Sequence, residues 1–190
     1  MTAKHALSVA GAAAFAVAIV GAAASCADVP ADARIGLTEP SATQFAPVGN
    51  LLDHRCGSLD CHGNARRNLV IYGCEGLRLE PADDAGPLLT PGCRSSGGTD
   101  TTGPATQPGT ELYATYRSLV GLEPTVMSEV VTGGGAHPEL LTFIRKARGW
   151  DAHKGGQIWD AGDTSDDCAT SWLTGTTDTT ACSTALTTTP

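Results

Sequence analysis

Apolar residues recur at helical spacing in several short stretches, each bounded by proline, glycine or a capping side chain. Phe45, Val48, Leu51 and Leu52 form the first such stripe, with Pro47 tolerated in a first turn, and the predicted helix delivers the chain to Cys56. A second stripe, Leu112, Tyr113, Tyr116, Leu119 and Val120, follows Thr110 as N-cap and stops at Gly121. Two more helices carry proline in the first turn: one from Pro124 through Val126, Met127, Val130 and Val131 to Gly133, one from Pro138 through Leu140, Leu141, Ile144 and Ala147 to Gly149. A last helix is expected from about Ser165 to Leu173, with Asp166 and Asp167 favoured in its first turn by the helix dipole and Gly175 closing it. Prolines and glycines between Glu80 and Thr110 leave no room for a long helix and predict an extended surface loop. The Thr-rich stretch 176–190 is expected to be irregular and tied back through Cys182. No stretch alternates as a strand does, and no internal repeat is present. The pattern therefore predicts a small, mainly α domain with one long Gly/Pro/Thr-rich loop.

The N-terminus has a different character. Lys4 and His5 precede an apolar, Ala-rich run from Ala6 to Ala24, and small residues surround Cys26, as in an export signal over 1–25. Ala23-Ala24-Ser25-Cys26 resembles a bacterial lipobox, which implies cleavage before Cys26 and lipidation of that residue. A plainly secreted protein and an uncleaved membrane anchor are the alternatives, the run being just long enough to span. All three place the body outside the cytoplasm, in the periplasm or at the cell surface. Residues 26–41 then read as a tether, 42–175 as the folded domain and 176–190 as the tail.

Composition narrows the function. The 190 residues are 41% hydrophobic but only 5% aromatic, and much of the apolar share is leader alanine, so the core is expected to lean on crosslinks or a buried cofactor. With 12 Lys plus Arg against 20 Asp plus Glu, the net charge of −8 makes nucleic acid a poor partner. No Gly-x-Ser-x-Gly elbow, P-loop or His-Glu-x-x-His helix argues for a hydrolase or a nucleotide enzyme.

Seven cysteines sharpen the reading: Cys26, Cys56, Cys61, Cys74, Cys93, Cys168 and Cys182. Giving Cys26 to the lipid leaves six in an oxidising compartment, a number that permits 15 connectivities. Local spacing suggests Cys74–Cys93 and Cys168–Cys182. Cys56 and Cys61 are left, beside a histidine.

Within Arg55-Cys56-Gly57-Ser58-Leu59-Asp60-Cys61-His62-Gly63, two thiols are followed at once by an imidazole. That order suits covalent haem attachment: each thiol adds to one vinyl group as a thioether, and His62 is held beneath the iron as proximal ligand. Gly57 would ease a bulge of the intervening residues through its conformational freedom. A Cys56–Cys61 disulfide with His62 as bystander is the competing arrangement. Zinc held by Cys56, Cys61, His62 and His153 is a third, disfavoured because an oxidising compartment works against free thiolates.

Here the chain resembles the c-type cytochromes, in a variant with four residues between the cysteines, as found in multihaem members. The resemblance extends to Trp150-Asp151-Ala152-His153-Lys154-Gly155-Gly156 and the Trp172-bearing last helix, similar to the C-terminal half of cytochrome c-like exported proteins. It implies one haem c and a distal ligand on a loop before the last helix, a place that His153 suits. Met127 is the alternative distal ligand, although with Val126, Val130 and Val131 it also fits an ordinary apolar face; an open site is the third option. His54 lies too near the motif to reach the opposite face, and His137 is placed for capping or exposure. Arg66 and Arg67 suit haem propionates or solvent, Trp159 and Trp172 suit the porphyrin or the core, and Asp163, Asp166 and Asp167 suit helix capping better than calcium.

The expected function is electron transfer in the bacterial cell envelope without substrate turnover, with envelope redox proteins as partners and a membrane reached through the lipid anchor. The alternative is a haem-free surface lipoprotein stapled by three disulfides, acting as a binding or structural module.

Overall fold

The computed structural model describes residues 36–74, 76–79 and 103–188. The leader, Cys26, most of the tether, and the loop over 80–102 with Cys93 lie outside the described residues. Those described are mainly helical, with six α-helices and no strand among them, as the hydrophobic pattern predicts. No described helix is long and apolar enough to cross a membrane.

The helices are α1 (Ala46–Cys56), α2 (Glu111–Val120), α3 (Pro124–Thr132), α4 (Thr142–Ala147), α5 (Thr164–Leu173) and α6 (Thr179–Thr187). Helix α1 forms because its stripe has somewhere to go: Phe45, Val48 and Leu51 are fully buried and Leu52 nearly so, against α2, α5 and α6. At this crossing the Phe45 ring lies 5.0 Å from that of Trp172 and 5.5 Å from that of Tyr116. Trp172 is thus a core residue. At Gly49 a Cβ would meet the tip of the Leu112 side chain and press on the Phe45 ring, so a larger residue there would require Leu112 to shift.

Helix α2 begins at Thr110, whose hydroxyl accepts from the Tyr113 amide at 3.2 Å, as a capping residue should. Along its flank runs the extended segment 69–72. Val70 N–H donates to Ser118 Oγ (2.7 Å), Tyr72 N–H donates to Thr115 Oγ1 (3.0 Å), and Ile71 is fully buried. Helix α5 is capped by Asp163, whose carboxylate accepts from the Ser165 and Asp166 amides, whereas the Asp166 carboxylate is turned inward to Arg148 and the Trp159 indole.

Three expectations need correction. The stretch expected to be irregular carries a helix over Thr179–Thr187: Asp178 caps α6, which packs on α5 and α1 through Ala181, Cys182 and Ala185. The Cys168–Cys182 disulfide is formed, and Arg55 donates from Nη2 to the carbonyls of Ala185 and Thr188, each at 2.8 Å, fixing the far end of α6. The helix expected to start at Pro138 is broken in two. Pro138–Leu140 make one 3₁₀ turn, Leu141 is extended, and α4 starts afresh at Thr142 because Glu123 accepts from both its amide and its hydroxyl at 2.7 Å. Finally, residues 38–41 are not free tether. Thr38 N–H donates to Ser128 Oγ, Glu39 pairs with Arg117, Tyr116 donates to the Pro40 carbonyl, and Trp172 Nε1 donates to the Ser41 carbonyl.

Candidate functional site

Helix α1 ends at Cys56, and the chain turns back on itself at once. His62 N–H donates to the Cys56 carbonyl (2.9 Å), while the Ser58 carbonyl accepts from the amides of Cys61 and Gly63, both at 2.9 Å. The residues between, Ser58 to Asp60, bulge into solvent, and Leu59 is exposed. Arg67 braces the bulge from outside, donating from Nε to the Cys61 carbonyl (2.9 Å) and from Nη2 to that of Asp60 (2.8 Å). Arg67 therefore acts on the loop itself, a role not legible in its position after the motif.

The glycines of this turn are demanded by space. Gly57 has ordinary right-handed angles, φ −78° and ψ −2°, so the conformational freedom expected of it is not used. A Cβ there would instead strike the Asp53 carboxylate, and one on Gly63 would overlap the Gly57 carbonyl oxygen. Asp53 is fully buried beneath the turn, and its Oδ2 accepts from the Cys74 amide at 3.1 Å. Cys74 is disulfide-bonded, and its expected partner Cys93 lies outside the described residues.

Cys56 and Cys61 are both free thiols, so the competing disulfide between them is not formed. Burial, reinforced by the nearby Cys61 and only partly opposed by Arg55, pushes the Cys56 thiol up to about 12 and keeps it protonated at neutral pH. Among the described residues, no group of three or more His, Cys, Asp or Glu side chains could hold a metal ion. The zinc arrangement of Cys56, Cys61, His62 and His153 is thereby corrected: the four do not gather as a tetrahedral site would need.

Two of them do meet. The imidazoles of His62 and His153 lie with ring centroids 5.9 Å apart and planes 23° from parallel. His62 presents Nδ1 to the Leu69 carbonyl at 3.0 Å, and His153 presents Nδ1 to the Gly156 carbonyl at 3.2 Å. A carbonyl can only accept, so Nδ1 is the donating nitrogen of each ring, and Nε2 is the nitrogen left to meet another group. Burial holds the His62 pKa below the ordinary histidine value despite its hydrogen bond to Leu69, with His153, Arg67 and Lys146 adding to the depression. A neutral ring is the form that binds a metal.

A cavity of about 520 Å³ opens beside this pair, lined by Cys56, His62 and His153 and walled by Leu52, Leu69, Phe143, Ala147, Ile158 and Trp159. A smaller one of about 170 Å³ is lined by Asp60, Cys61, His62, Arg67, His153, Lys154 and Gly155. The two share His62, Arg67, His153 and Lys154, and each has one of the free thiols in its wall. Arg66, Arg67, Lys146 and Lys154 give the larger cavity four cations in a chain that has only twelve, whereas the one carboxylate in its lining, Glu123, is taken up by Thr142. The Trp159 ring is fixed by donating from Nε1 to Asp166 (3.1 Å), which is itself held by the buried Arg148.

These residues fit a haem. Two imidazoles that meet, each turned to a backbone carbonyl through Nδ1, are a donor set that could hold its iron. The apolar walls suit the macrocycle, the thiols suit its vinyl groups, and the cations suit its carboxylates. Met127 does not belong to this site: its side chain is buried in the core from α3, and it lines neither cavity. Lys146 and Lys154 went unremarked in the sequence; the one available signal was the Lys-Gly-Gly run beside His153.

No protein-family model matches the chain, and neither a curated protein nor a solved structure matches it.

Proposed function

We propose that this chain is a covalent haem-binding electron-transfer protein of the bacterial cell envelope, with one haem c attached through Cys56 and Cys61 and ligated by His62 and His153. The observation that carries this reading is the pairing of His62 with His153 at 5.9 Å, both anchored at Nδ1, beside two free thiols. When bound, the haem supplies a one-electron couple at its iron.

The chain's own residues have limited tasks. His62 and His153 would hold the haem iron between them, and a site whose donors are both supplied by the chain supports a carrier in preference to an enzyme. Leu52, Leu69, Phe143, Ile158 and Trp159 would exclude water from the macrocycle. Arg66 and Lys154 would be the cations available to its carboxylates, Arg67 and Lys146 being engaged by backbone carbonyls. Export and lipidation at Cys26 belong to the same proposal, with envelope redox proteins as partners and a lipid anchor as the contact with the membrane.

The test is a visible spectrum of protein exported from a host with a working haem-attachment system. A sharp reduced α band that survives acid–acetone extraction is expected. Colourless protein, or colour removed by the extraction, would reject the reading.

A further inference from the structure

His62 does not keep its orientation alone. Its Nδ1 donates to the Leu69 carbonyl at 3.0 Å, and that carbonyl shares one planar peptide unit with the Val70 N–H, which donates to Ser118 Oγ at 2.7 Å. The unit is trans, so its two polar groups point in opposite directions and it forms a rigid bridge with an imidazole at one end and a hydroxyl of α2 at the other. Neighbouring bonds keep the bridge from turning. The Ile71 N–H donates to the His62 carbonyl (2.9 Å), the Tyr72 N–H donates to Thr115 Oγ1 (3.0 Å), and Leu69 and Ile71 are buried. His153 is steered differently: the carbonyl that accepts from its Nδ1 belongs to Gly156, within the same short turn. Segment 69–72 is thus clamped between the site and α2, whereas the turn of His153 is closed on itself.

We infer that Ser118 is a positioning residue for His62, acting through the Leu69–Val70 peptide. By accepting from the N–H end, its hydroxyl polarises the unit and makes the carbonyl end a stronger acceptor. A stronger acceptor at Nδ1 keeps the proton there, holds the ring at one angle and makes Nε2 the better electron-pair donor. Ser118 lines neither cavity, so its influence on the site passes through this peptide. What the device does for a haem rests on the function proposed above; the bridge itself does not.

Substitutions at this position separate the oxygen from the shape of the side chain. Ser118→Ala removes the acceptor, while Ser118→Thr and Ser118→Val add the same branched shape and differ only in the hydroxyl. In haem-free, isotope-labelled protein with Cys56 and Cys61 as free thiols, ring-nitrogen chemical shifts report the tautomers of His62 and His153 at a pH where both rings are neutral. The ratio of the Nδ1–H to the Nε2–H form of His62 is expected to fall roughly fivefold in Ser118→Ala and Ser118→Val, the equivalent of one weakened hydrogen bond, and to stay native in Ser118→Thr, with His153 unchanged throughout. An unchanged His62 ratio in the Ala and Val variants, a Thr variant that behaves as Val does, or equal shifts in both histidines overturns the inference. In haem-loaded protein the midpoint potential of Ser118→Ala and Ser118→Val is expected to lie above that of the native and Ser118→Thr forms, because His62 has become the weaker donor; a potential identical in every form overturns the role at the haem. Failure of the proposed function shows separately, as native protein that carries no haem, and the tautomer ratios then still decide the role of Ser118.

Discussion

His62 and His153 meet ring to ring at 5.9 Å although one belongs to the turn after α1 and the other to the loop before α5. Each is steered by a backbone carbonyl on Nδ1, so the nitrogen that remains on both rings is Nε2. That relationship gives the two histidines separable roles. His153→Ala is expected to retain covalent haem but lose the low-spin spectrum of two nitrogen ligands, whereas His62→Ala is expected to lower the yield of attached haem at least about tenfold. Absorbance spectra and the mass of each variant check both outcomes.

The turn that carries the thiols depends on the absence of a side chain at position 63. Gly63→Ala would drive a methyl group into the Gly57 carbonyl, with the backbone of Gly76 close on the other side. No flexible side chain is available to yield, so the cost is expected to be about 3 kcal/mol or more. Urea denaturation of the variant, compared with an alanine at the open Gly162, measures it; Gly162 has space but a left-handed φ of +81°, so its loss should be limited to about 1 kcal/mol.

Cys168 and Cys182 close a loop of sequence separation 14 and are both buried between α5 and α6. The paired substitution to serine is expected to cost about 3 kcal/mol by freeing the unfolded chain. Amide exchange should show α6 losing protection before α1, since α6 has few large apolar side chains of its own to hold it.

Tyr116 supplies a pH dependence away from the histidines. Its phenol is raised to about 12, chiefly by burial and further by the charge and hydrogen bond of Glu39. The folded chain then keeps a proton that the unfolded chain gives up near pH 10. Stability from this group is complete below pH 10 and falls as pH rises toward 12. Tyr116→Phe should flatten that slope and, by leaving the buried Pro40 carbonyl without its donor, cost about 1–2 kcal/mol at neutral pH. Chemical denaturation of both forms at pH 7, 10 and 11.5 gives the comparison.

Much of the fold was legible because its signals are local. The stripe from Phe45 to Leu52, the Thr110 cap and the Asp163 cap each act along a single helix, where spacing and capping chemistry suffice. Helix α6 was not legible because threonine dominates it and only Ala181, Cys182 and Ala185 face the core; the Asp178 cap was its one clear mark. The break at Leu141 came from Glu123, a residue of another segment, and docking of 38–41 came from Arg117, Tyr116, Ser128 and Trp172. Tertiary partners of that kind leave no local trace. The same division holds at the site: Cys56, Cys61 and His62 are adjacent in the chain and could be read together, and His153 was reached through a family resemblance. Buried Asp53, the bracing by Arg67 and the cations Lys146 and Lys154 depend on how distant segments meet.

The most direct test of the haem attachment is the mass of the peptide spanning Cys56 to His62, digested from protein made in a host competent for haem maturation. The account predicts a peptide heavier by one haem, with both thiols consumed and the adduct stable to reduction. A peptide of unmodified mass, or one lighter by two hydrogens with Cys56 and Cys61 joined to each other, would contradict it.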